Sequence, residues 1–239
     1  QNILRCLTGP IYLKDKCMNA TGMTFTILNL VWLVSAALAG AEHKSLSSNI
    51  QVTKYAPTIA SFPGCTQIVF SGETEIVTAG DQLFYRTDSQ SAFHESAIKG
   101  LKDAHAVVFN PLDRLYYATD TGNHRLITFR DPASSQVQDT VTSLAEVKLQ
   151  RPHDVVCDES TGWLYSLNPD SRQVFRFKNA GQTADSLDLS RHLGYSRALT
   201  IVDGTLYVIG SSAGAVIEVA DFGKQQYQIH NSFEKKKDA

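Results

Sequence analysis

The stretch Asp103–Arg130, DAHAVVFNPLDRLYYATDTGNHRLITFR, decides the architecture. Its apolar runs AVVF (106–109), RLYYAT (114–119) and RLITF (125–129) are short and rich in β-branched and aromatic residues. Clusters of Asn, Asp, Gly and Pro bound them, which is the composition of strands joined by tight turns. None of these runs carries a 3.6-residue period over ten or more residues, so a helical reading fails.

The stretch recurs. Arg151–Phe177, RPHDVVCDESTGWLYSLNPDSRQVFRF, and Ser196–Val219, SRALTIVDGTLYVIGSSAGAVIEV, follow the same order of strand, turn, strand, turn, strand. Tyr117, Tyr165 and Tyr207 hold one strand position, and twelve residues after each come Phe129, Phe177 and Val219. His105, His153 and Arg197 open the first strand of each unit at intervals of 48 and 44 residues. A degenerate copy lies upstream, with strands at Thr66–Phe70, Glu75–Thr78 and Leu83–Arg86 and a shorter turn at Gly80-Asp81. This period is that of a four-stranded propeller blade. The expected fold is therefore all-β, a β-propeller of four-stranded blades with about four recognisable repeats. The ring is either a compact one of four to five blades or part of a six-bladed one.

In a propeller the innermost strand of each blade lines the central channel. Equivalent positions on successive blades then meet at one end of it. This gathers His105, His153 and Arg197 at the channel mouth, with Asp154 beside His153. Neutral imidazoles suit zinc or another divalent ion, which makes His105 and His153 the candidate metal ligands, and the cofactor expected is a divalent metal, zinc or calcium. Arg197 would hold a carboxylate through its planar fork, and Asp154 would orient a neighbour or a water. The alternative is that all four satisfy the hydrogen-bonding needs of a solvated mouth. The recurring tyrosines and Trp163 read as blade packing. No Ser-His-Asp set, phosphate-cradling glycine loop or H-E-x-x-H helix is present.

The segment Asp120–Phe129, DTGNHRLITF, resembles the signature of NHL repeats, a D-x-x-N-H-R turn followed by a strand ending in an aromatic residue. The later copies carry Ser171-Arg172-Gln173 and Ala213-Gly214-Ala215 at the Asn-His-Arg positions. The resemblance spans about 65–219 as architecture and implies a propeller that serves as a binding platform. Asp120 and Asn123 are expected to shape the turn, with Arg125 pairing to a neighbouring blade. Within the same broad group, the lyase domain of peptide-amidating enzymes opens an inner strand with P-H-x-[LV], whose histidine binds zinc. Pro152-His153-Asp154-Val155 is similar to that segment, and Ala104-His105-Ala106-Val107 matches it in part. The resemblance thus implies a second reading, a metal-dependent lyase or hydrolase with its site at the channel mouth.

Three segments organise the chain: 1–22 upstream, 23–41 apolar, and 42–239 carrying the repeats. Met23–Ala41 has no charged residue and ends in small residues, with Ala39-Gly40-Ala41 fitting a cleavage site. It reads as a signal peptide, with an uncleaved anchor as the alternative. Either way the propeller is expected outside the cytoplasm: secreted, periplasmic or extracellular. Ile50–Thr53 reads as a strand that would pair near Gln226–His230. A net charge of -2 from 22 basic and 24 acidic residues excludes an electrostatic footprint for nucleic acid. The expected partner is a protein, peptide, glycan or small-molecule ligand. Cys65 and Cys157 lie two blades apart, so a disulfide between them is not expected.

Overall fold

The computed structural model describes residue 62 and residues 64–89, 91–211 and 214–231. The apolar segment 23–41, the strand expected at Ile50–Thr53, Cys6 and Cys17 lie outside these residues. Among the described residues no helix is long and apolar enough to cross a membrane.

Four consecutive antiparallel sheets of four strands make up the described chain. Blade one holds β1 (Cys65–Ser71), β2 (Thr74–Ala79), β3 (Gln82–Arg86) and β4 (His94–Glu95). Blade two holds β5 (Ala104–Asn110), β6 (Leu115–Asp120), β7 (Arg125–Phe129) and β8 (Asp139–Val141). A small hairpin, β9 (Ser143–Leu144) with β10 (Val147–Lys148), leads to blade three. That blade holds β11 (Asp154–Asp158), β12 (Trp163–Asn168), β13 (Gln173–Lys178) and β14 (Thr183–Asp188). Blade four holds β15 (Ala198–Val202), β16 (Thr205–Gly210), β17 (Ala215–Asp221) and β18 (Gln226–Asn231). The meander within each blade follows from its short hairpin turns, which allow only antiparallel neighbours. Gln226–His230 is a strand, as its alternation predicts, and it pairs with β17 of its own blade.

The blades stack face to face. Between blades two and three, Tyr117, Leu126 and Leu144 pack on Leu164, Phe175 and Phe177. Between blades three and four, Leu167, Val174 and Leu187 pack on Leu199, Val208 and Ile217. Each such side chain, taken fully out of water, contributes about 1.5–3 kcal/mol. The recurring tyrosine is a packing residue in the first two cases: Tyr117 is fully buried, its hydroxyl donating to Asp113 at 2.6 Å, and Tyr165 is buried. Gly181 closes this seam. Its φ is +91°, and a Cβ there would meet Leu144 Cδ2 at 2.8 Å.

The innermost strands neighbour one another in the order β1, β5, β11, β15. Among the described residues no strand of blade four packs on blade one to a comparable extent, so these four blades do not close into a ring by themselves. An inner strand has an unpaired edge, whose amides need acceptors. Side chains of the preceding blade supply them: Gln67 Oε1 accepts Val107 N–H at 2.6 Å, and Asp154 Oδ2 accepts Leu199 N–H at 2.6 Å.

Candidate functional site

The N-terminal ends of β5, β11 and β15 lie side by side, and the residues leading into them form two rows. One row is His105, His153 and Arg197. The other, two residues earlier in each copy, is Asp103, Arg151 and Tyr195. The backbone geometry that builds these rows is specific. β5 carries a bulge between Ala104 and Val107, where one extra residue faces β6. Such a bulge re-aims the side chain it carries, here at the His105 position. Asp103 and Arg151 both adopt left-handed backbone, with φ of 53° and 56°, unusual for non-glycine residues. Side chains hold that conformation: Asp103 N–H donates to Asp81 at 2.8 Å, and Arg151 N–H donates to His124 Nδ1 at 3.1 Å.

The turn at Asp120–Arg125 is the clamp behind these rows. Asp120 is completely buried and accepts from Lys102 N–H, Asn123 Nδ2 and Arg125 Nε, the last at 2.6 Å. Asn168 repeats the device in blade three, accepting Gln150 N–H at 2.8 Å. Arg125 departs from the sequence expectation. It pairs with Asp120 of its own blade, and it reaches only the Gly100 carbonyl in the segment between blades one and two. His124, at φ 58°, ends the turn and passes the contact on to Arg151.

At the mouth His105 and His153 stack face to face, ring centroids 4.0 Å apart and planes 18° from parallel. Tyr195 stands edge-on to His153 at 6.1 Å, and the Arg197 guanidinium lies 5.1 Å from the Tyr195 ring. On the other flank Asp103 sits 3.3 Å from His105 Nε2 and 3.8 Å from Arg151. The result is one continuous array, Arg151, Asp103, His105, His153, Tyr195, Arg197. The rings are half-buried and both arginines are exposed. Aromatic faces flanked by cations offer stacking, cation–π contact and bidentate capture of an anionic group.

Of the four residues singled out in the sequence, three meet here and one does not. Asp154 is 1% exposed and turned between the blades, where its carboxylate accepts the Leu199 and Val155 N–H groups. Sequence gives its position on the inner strand but not which side of it the carboxylate takes. Asp103, Arg151 and Tyr195 were missed because their residue types differ. The signal that joins them is register alone, the same spacing of 48 and 44 residues.

For His105 and His153 to share one ion, a ring would have to turn from the stack. Near-parallel stacked rings send their in-plane lone pairs side by side, whereas a tetrahedral ion about 2.0–2.1 Å from each nitrogen needs them to converge. Among the described residues no group of three or more His, Cys, Asp or Glu side chains is placed to hold a metal ion. Two clefts of about 230 Å³ each lie elsewhere, at the turns that follow the inner strands, and neither includes a mouth residue. Cys157 is a free thiol, and burial pushes it up to about 12.

No protein-family model and no curated protein matches the chain. Among solved structures it is similar to selenomethionine-substituted virginiamycin B lyase from Staphylococcus aureus, with a TM-score of 0.57 and 10% identity over 70% of this chain and 55% of that one. The fold is a β-propeller. A streptogramin B lyase structure gives 0.56 and 11% over 70% and 54%, and a nidogen/laminin complex gives 0.51 and 17% over 66% and 59%. The propeller thus spans about half the length of the solved structures it matches. At such identities the likeness is one of fold, and propellers host many functions.

Proposed function

We propose that this propeller is an exported binding module that takes an anionic segment of a protein, peptide or glycan at the mouth of its inner strands. The observation that supports this reading is the array itself: six residues from three blades, three of them aromatic rings and two exposed arginines, meeting at one end. Arg197 and Arg151 would hold a carboxylate or sulfate from either flank, while the His105, His153 and Tyr195 rings provide a platform for the planar or apolar part of the ligand. The NHL-like turn stands behind the mouth and fixes Arg151 through His124.

The test is a screen of arrayed peptides and glycans with the purified protein and an Arg197→Ala variant. Ligands bearing a carboxylate or sulfate should be retained by the parent and lost in the variant. Retention of neutral ligands alone, or identical retention by both proteins, would count against the reading.

The second reading, a metal-dependent lyase or hydrolase, has one observation in its favour: two similar solved structures are lyases by name. For His105 and His153 to share an ion, at least one ring would have to turn out of the stack. Elemental analysis separates the readings. Stoichiometric zinc or calcium in the parent, absent from a His105→Ala/His153→Ala variant, would put the lyase first.

A further inference from the structure

Propellers blunt the outer edges of their blades, and three blades here do so visibly. β4 has two residues and β8 three, too short to template another strand. β14 is longer but carries Asp185 and Asp188, so two copies of that edge would bring carboxylates into one ladder. β18 has none of these safeguards. Its sequence, QYQIHN, runs six residues without Asp, Glu, Lys, Arg or Pro. Gln226, Gln228, Ile229 and His230 are exposed, and among the described residues the strand pairs with β17 alone.

We infer that β18 is a self-association edge, pairing antiparallel with β18 of a second copy about a two-fold axis to give one sheet of eight strands. The side chains specify a register. With the axis at Gln228, Tyr227 faces Ile229 of the second copy, Gln226 faces its His230, and Gln228 faces its Gln228. Tyr227 and Ile229 pair with Val219 and Ile217 of β17, which are 5% and 0% exposed on the side packed against blade three. The new contact therefore extends an existing apolar face as aromatic-to-β-branched cross-strand pairs. The opposite side brings together the Gln226 and Gln228 amides and the His230 ring, which lies 2.9 Å from Glu218 Oε2 of β17, and the residues directly opposed across the axis carry no carboxylate. A two-fold contact of this kind is closed, so it stops at a dimer.

The experiment is sedimentation of the full chain over a wide concentration range. The parent should pass from one chain mass to twice that mass. Gln228→Lys sets two ammonium groups opposite each other on the axis and should weaken the dimer several-fold, whereas Ser186→Lys on β14 should leave it unchanged. Gln228→Cys should cross-link to itself under mild oxidation beyond any background from the native thiols, and Gln226→Cys should not. A parent that stays monomeric at every concentration overturns the proposal. So does a dimer indifferent to Gln228→Lys. In the monomeric case, slow amide exchange across Gln226–Asn231 would assign the edge to a segment of the same chain, such as Ile50–Thr53.

Discussion

Asp120 and Asp103 are both carboxylates beside an arginine, and they do opposite things. Asp120 is sealed: fully buried, its oxygens taken by a backbone amide, an amide side chain and the Arg125 guanidinium at 2.6 Å. Asp103 is open: half-exposed, with His105 at 3.3 Å and Arg151 at 3.8 Å, distances that leave both partners available to a ligand. A closed bond set fixes the scaffold, while a loose one at the surface can be exchanged. The functional distinction between the two is carried by the number and length of the contacts and not by residue type.

The largest expected effect breaks the sealed member. Asp120→Ala removes the acceptor shared by the Lys102 N–H, Asn123 and the part-exposed Arg125, and should cost about 3 kcal/mol in urea-melt stability. Asp154 sharpens the contrast, because it was expected at the mouth and belongs with the sealed group. Asp154→Ala orphans the Leu199 N–H and should cost about 1–3 kcal/mol, with ligand retention per folded molecule unchanged. Asp103→Ala should shift stability by about 1 kcal/mol or less, the range of an exposed pair, while changing what the mouth retains.

The smallest effect is a matter of pH. Asp188 is exposed, and the hydrogen bonds from Ser190, its backbone N–H first, hold its carboxyl below the ordinary 3.8. A depressed folded value means that its contribution is present above pH 3.8 and is lost as pH falls through the lower folded value. Asp188→Ala should therefore flatten the acid limb of a stability–pH curve by only about a few tenths of a kcal/mol, because solvent screens the group. A large change there would mean that exposed carboxylates also hold this scaffold, and the contrast would collapse.

The parts of the fold that were legible in the sequence are those with strong chemistry. The three inner strands of each blade announce themselves through Val, Ile, Phe and Tyr, and their turns through Asp-Gly and Asn-Pro. The outer strands do not. His94–Glu95 and Asp139–Val141 are too short and polar for any pattern, and Thr183–Asp188 reads as a loop by composition. The hairpin at 143–148 turns through Ala145 and Glu146, both at positive φ without a glycine to mark them. Half of the mouth was legible for the same reason. Two histidines at one register stand out, whereas Asp103, Arg151 and Tyr195 share only a position. The stack itself depends on a bulge and on ring orientation, which no spacing encodes.

The most direct test of the account measures the affinity of one array-selected anionic ligand for the parent and for His105→Ala/His153→Ala, with thermal unfolding recorded alongside. The account predicts a loss of affinity of about tenfold or more, while stability falls by only about 1 kcal/mol, the worth of an aromatic pair. Equal affinity in a folded variant would contradict it and would move the binding surface away from the mouth.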